Sequence, residues 1–108
     1  MDLRRDVFQA IADPTRRTIL LLLAEKSMTA GDIASHFDSS RPTISNHIRI
    51  LIECGLLEKD QKGRKIYYHL NAVKLKEVAD FIKPFEKQWD DQRRNKFEDA
   101  IRKFKSQK

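Results

Sequence analysis

A single cysteine among 108 residues excludes a disulfide framework within the chain. Three glycines and three prolines are too few for the many tight turns of an all-β sandwich. No apolar run approaches the roughly 18 residues that span a bilayer, so no membrane insertion is expected. The first residues, MDLRRDVFQA, lack the long apolar stretch of a secretory signal, so a reducing, cytoplasmic location is expected. Internal repeats, low-complexity tracts and linkers are missing too. What the chain has in quantity is charge. Charged residues make up 35%, and Lys plus Arg (22) against Asp plus Glu (16) leaves +6 at pH 7. The length suits one ordinary domain, since such domains cluster at about 100–150 residues. A small domain with pI ≈ 9.6 points to a polyanion, and nucleic acid is the commonest.

The chain reads as mainly α with a small β-hairpin, in the order α-α-α-α-β-β-α. Leu3, Val7, Phe8 and Ile11 recur at helical spacing, which predicts a helix over 2–12. Asp13-Pro14 restarts the chain, because Asp caps well and Pro suits the first helical position. A second helix should run from Pro14 to about Glu25, apolar nearly all round and therefore central to the core. Lys26 to Met28 reads as a connector. Thr29-Ala-Gly-Asp32 fits a capping signal for a short helix from Ala30 to Phe37. After a turn at 38–40, a fourth helix should run from Pro42 to Cys54 and stop at Gly55. Two β-compatible runs, 56–59 and 65–70, flank a glycine-containing tip at 60–64. Asn71 then caps a long last helix, which Pro84 should kink or interrupt. Residues 1–92 are expected to form the DNA-binding and dimerisation domain, with 93–108 a basic helical extension of it. Two short helices joined by a tight turn, followed by a basic hairpin, make a winged helix-turn-helix.

The fourth helix carries the most chemistry. At 100° per residue, Ile44, Ile48 and Leu51 share one stripe, while Asn46, Arg49 and Glu53 fall opposite, flanked by Thr43 and Ser45. Such a face suits a major groove, where Asn pairs with adenine, Arg with guanine and a Thr methyl with thymine. Ser39, Ser40 and Arg41 stand at the helix start, where N–H groups and hydroxyls suit phosphate oxygens. The alternative is a merely solvated polar face, which the short preceding helix and the basic hairpin disfavour. Lys62, Arg64 and Lys65 at the hairpin tip, with Lys59 near its base, can reach a neighbouring groove or backbone. Leu3, Val7, Phe8 and Ile11, with Phe81, Ile82, Phe85 and Trp89, exceed the apolar needs of one small core. They are expected to form a two-fold interface, which duplex DNA favours because two reading helices then match its repeat.

The ordered set Asp13-Pro-Thr-Arg-Arg17, Thr29-Ala-Gly-Asp-Ile-Ala34, Pro42 to Leu51, Gly55-Leu-Leu57 and Gly63-Arg-Lys-Ile-Tyr-Tyr68 resembles the ArsR/SmtB family of small dimeric bacterial repressors. The match spans about residues 5–90, and it is most similar to the non-metal subgroup that includes sporulation-delay-type autorepressors. The resemblance implies a homodimer that binds an inverted-repeat operator in double-stranded DNA, with an anti-repressor protein as a further candidate partner. Metal sensors of this family carry paired Cys on the third helix, or Asp and His on the last. Here the third helix lacks Cys and the last lacks His, so neither a metal site nor any other cofactor is expected.

The remaining polar residues read plainly. His36, His47 and His69 show no ligand spacing, and the resemblance implies that His47 packs or hydrogen-bonds beside the buried flank of its helix. Arg16 and Arg17 at a helix start serve either a phosphate or acidic neighbour, or a structural corner that the resemblance implies. Cys54 is expected to be a buried small hydrophobe, with a redox switch as the rival. No phosphate loop or oriented nucleophile appears, so the chain is not expected to be an enzyme. Two other functions compete: an effector- or thiol-responsive sensor of the same fold, and a winged-helix protein-interaction module. The polar face and basic hairpin argue against the second.

Overall fold

A computed structural model describes residues 6–105, leaving aside the side chains of 93–97 and 104–105. Asp6 opens the first helix, α1 (Val7–Ala10), through a capping box in which its carboxylate accepts from Gln9 N at 2.9 Å. Of the helix predicted over 2–12, the described residues hold one turn, which starts after Asp6 because a capping Asp is held extended. Residues 2–5, Leu3 among them, lie outside the described residues. Asp13 caps α2 (Pro14–Glu25), with Pro at its start, as expected. This helix is not buried all round. Ile19, Leu20 and Leu23 face the core, whereas Leu21 is 70% exposed. The connector holds a strand the sequence did not reveal, β1 (Met28–Thr29), since two residues are too few to show a period. Thr29 also caps α3 (Ala30–Ala34) through the expected capping box. That helix ends three residues earlier than predicted, at Ser35, whose hydroxyl donates to Asp32 O at 2.6 Å.

The fourth helix, α4 (Arg41–Glu53), starts at Ser40, whose hydroxyl accepts from Thr43 N. Ile44 and Leu51 are fully buried and Ile48 nearly so. Ile50 and Cys54 are buried as well, so coverage extends past the predicted stripe on one flank. The reason is that α4 packs against α2, α3 and the strand that follows it. Its end is a Schellman turn. Gly55 sits at φ 79 and donates to Ile52 O, while Leu56 N donates to Leu51 O at 3.0 Å. Leu51 and Leu56, both fully buried, close the apolar contact of that turn.

Strands β2 (Leu57–Lys62) and β3 (Lys65–Leu70) pair antiparallel from Leu57↔Leu70 to Lys62↔Lys65. The predicted five-residue tip shrinks to Gly63-Arg64, because Gly63 at φ 63 permits a two-residue turn. β3 pairs on its other side with β1, giving a three-stranded sheet of order β1-β3-β2. Asn71 does not cap the last helix. Its side chain donates to Gly55 O at 3.0 Å, tying the end of β3 to the turn after α4, and a 3-10 turn (Ala72–Leu75) intervenes. The long helix α5 (Lys76–Lys105) runs through Pro84 without interruption. Residues up to Glu77 form one compact unit and those from Val78 another.

Burial pushes the Asp13 carboxyl up, but hydrogen bonds from Arg16 and Thr15 N–H, with electrostatic attraction from the His47 and Arg16 side chains, outweigh it. The net effect holds Asp13 below the usual carboxylate range. A lowered folded-state pKa adds stability above the unfolded value, lost as pH falls through the folded one. Asp13→Ala should cost about 1 kcal/mol at neutral pH and progressively less in acid, measured by thermal melts across that range.

Candidate nucleic-acid interface

Two of the cations at the start of α2 are structural. Arg16 Nε donates to Ala10 O at 2.7 Å and its Nη2 to Gln9 O at 3.1 Å. Arg17 Nη1 donates to Ile11 O at 2.8 Å. Both therefore donate to carbonyls at the end of α1, of which Gln9 O also accepts from Ala12 N, and this outweighs their unfavourable place at a helix start. Neither an acidic partner nor a phosphate is needed to explain them. Arg16 Nη1 also lies 3.3 Å from His47 Nδ1. Arginine can only donate, so this nitrogen is the acceptor in that contact. His47 is thus a half-buried hydrogen-bonding residue on the flank of α4.

Pinned this way, α1 turns Val7 and Ala10 fully inward. Val7 belongs to the chain's own core, which removes it from the surface assigned to a second copy. Ile11 is half-buried and Phe8 is exposed. On α5, Phe81, Phe85 and Trp89 are each more than two-fifths exposed and Ile82 is half-buried. The Phe81 and Phe85 rings lie 5.6 Å apart, one helical turn from each other.

The residues expected to read DNA lie on the exposed side of α4. Thr43, Ser45, Asn46 and Arg49 are all exposed, as are Ser39, Ser40 and Arg41 before and at its start. Ser40 and Thr43 hydroxyls hydrogen-bond at 2.8 Å, so part of their capacity is spent on the cap. Arg49 is also engaged, donating to Asn46 Oδ1 at 2.6 Å and Glu53 Oε1 at 2.8 Å. Glu53 was placed on this face by the helical wheel without a role.

The hairpin brings its cations to the same region of the fold. Lys62 ends β2 rather than lying on a loop, 3.9 Å from Asp60 and 5.9 Å from the centre of the Tyr67 ring. Arg64 and Lys65 join Arg41 around a cleft of ≈ 370 Å³, closed by Thr29 to Asp32, Ile66 and Tyr68. Gly31 leaves space for the Arg41 guanidinium, which lies 3.7 Å from where a Cβ would stand. The sequence reading missed the α3 side of this cleft. Its Thr29 and Asp32 carry a capping signal, which explains them without reference to a ligand. Across the hairpin, His69 Nε2 faces Glu58 Oε2 at 3.1 Å, a pairing set by strand register. Cys54 is buried, as expected.

Residues 13–59 match the model of the bacterial regulatory protein arsR family. The chain is 48% identical to the transcriptional repressor SdpR of Bacillus subtilis (strain 168) over 74% of its length and 89% of that relative. It is 35% identical to an uncharacterized helix-turn-helix regulator of Methanocaldococcus jannaschii over 71% of this chain and 88% of that one. Among solved structures, an ArsR-like transcriptional regulator from Rhodococcus sp. RHA1 superposes with a TM-score of 0.65 at 32% identity, covering 80% of this chain and 81% of that one. Such relatives are transcription regulators, which bears out the winged helix-turn-helix fold and the reading of a non-enzyme.

The geometry of Arg16 generates its own test. Arg16→Ala should destabilise the fold by about 1–3 kcal/mol and speed hydrogen exchange at Ala10 and Ile11, because the Ala10 carbonyl loses its Arg16 donor, while the Gln9 carbonyl keeps Ala12 N–H. Arg16→Lys should recover less than half, since an ammonium cannot reproduce the guanidinium fork. With these relatives and this fold, the chain belongs to the arsR family of bacterial regulatory proteins and is a DNA-binding transcription regulator.

Proposed function

We propose that the chain is a homodimeric repressor that binds an inverted-repeat operator, with α4 in the major groove and the hairpin on the adjoining backbone. The observation that carries this reading is the division of α4. It buries Ile44, Ile48 and Leu51 and leaves outward the short polar Thr43, Ser45 and Asn46 together with the longer Arg49, a set suited to base edges. The Arg41–Arg64–Lys65 cleft beside it suits a backbone phosphate, as three cations converge there. Repression is supported by the likeness to a relative named as a transcriptional repressor. Pairing of two copies is supported by the exposure of two large apolar side chains on α5, Phe85 at 44% and Trp89 at 56%. The proposal includes no metal sensing; among the described residues no group of three or more His, Cys, Asp or Glu could hold an ion.

Selection from a randomised duplex pool should return an inverted repeat, and the selected site and a scrambled duplex then serve as probes. Arg49→Ala should cost about 1–3 kcal/mol on the selected site and much less on the scramble. Lys62→Ala should weaken both alike and lower the salt slope by at most about one per subunit. An unchanged ratio of the two affinities in Arg49→Ala would show that α4 does not read bases through this residue.

Zinc, cadmium, cobalt and arsenite at sub-saturating levels should leave the affinity for the selected site unchanged, measured by the same titration. Stoichiometric metal uptake coupled to DNA release would overturn the metal-free reading.

A further inference from the structure

Arg49 is the only reading-face cation placed between two partners on its own helix, Asn46 at i−3 and Glu53 at i+4, among the contacts described. The two bonds occupy two of the five guanidinium N–H donors and leave three for DNA. They also fix a long side chain along the helix face, so less rotamer freedom is lost on binding. Glu53 brings a full negative charge 2.8 Å from Nη1.

Phosphate and guanine ask different things of this group. Attraction to a phosphate scales with net charge, and the Arg49–Glu53 pair is close to neutral. A guanine edge is a neutral double acceptor read by donor geometry, which the pair preserves. The carboxylate therefore removes most of the sequence-independent attraction of Arg49 and keeps the sequence-dependent part. We propose that Glu53 is a specificity-determining residue: it holds Arg49 for base edges and withholds it from the phosphate backbone. This rests on the reading of α4 as the groove-facing helix.

The test is a cycle of four full-length proteins: wild type, Glu53→Gln, Arg49→Ala and the double variant. Each is titrated against the selected site and the scrambled duplex at two salt concentrations. Glu53→Gln should tighten scramble binding by about 3-fold, raise its salt slope by up to about one per subunit, and leave the selected site within about 2-fold. The affinity ratio then falls about 3-fold. In the Arg49→Ala background the same substitution should shift the scramble by less than half as much, because its effect works through Arg49. Both side chains are exposed, so thermal melts should coincide. An unchanged ratio, an equal shift without Arg49, or a loss confined to the selected site would each overturn the role of Glu53 and leave the DNA reading standing. A wild-type protein that does not distinguish the selected site from the scramble would overturn both.

Discussion

A helix of 13 residues can hide only part of its circumference, and α4 hides the part that carries Ile44, Ile48 and Leu51. Everything that α4 presents outward depends on this. Apolar side chains buried without voids leave a helix little freedom to roll, since a small rotation would expose methyl groups on one edge and force polar ones inward on the other. The packing of α2, α3 and β2 around α4 thus acts as a rotational lock. Ser45, Asn46 and Arg49 are presented outward because their neighbours along the chain are held inward.

The lock is extended at both ends of the helix by groups that satisfy backbone carbonyls and N–H donors. At the start, Ser40 takes the Thr43 N–H. At the end, Gly55 and Leu56 close the Schellman turn, and Asn71 reaches across from the end of β3 to the Gly55 carbonyl. The hairpin is thereby tied to the same turn that ends α4. At its far end Lys65 is held by the strand ladder opposite Lys62, and Arg64 lies in the tight two-residue turn beside it.

The basic residues divide by what their N–H groups already hold. Arg16 and Arg17 are spent on the carbonyls at the end of α1, so their charge serves the fold. Arg41, Arg64 and Lys65 gather around an open cleft. Arg49 lies between these cases, tied to Asn46 and Glu53 yet exposed. A net charge of +6 says that a polyanion is the partner. It does not say which cations meet it, because that depends on which carbonyls and carboxylates are nearer.

The sequence alone determined the features that are local or periodic. The Asp13, Thr29 and Ser40 neighbourhoods marked three helix starts, Gly55 marked a helix end, and the 3.6-residue period of α4 separated its core face from its solvent face. Each of these is settled by groups within a few residues of one another. Tertiary structure decided the rest. β1 exists because Met28 and Thr29 meet Tyr68 and Tyr67, some 40 residues away. Val7 is core because Arg16 pins its helix, Leu21 is surface because α2 is covered on one side only, and Asn71 turns to Gly55 instead of capping α5. The cleft joins residues from three separate segments. Such pairings arise where distant segments compete for the same carbonyls and apolar surface, and no pattern within one segment records who wins.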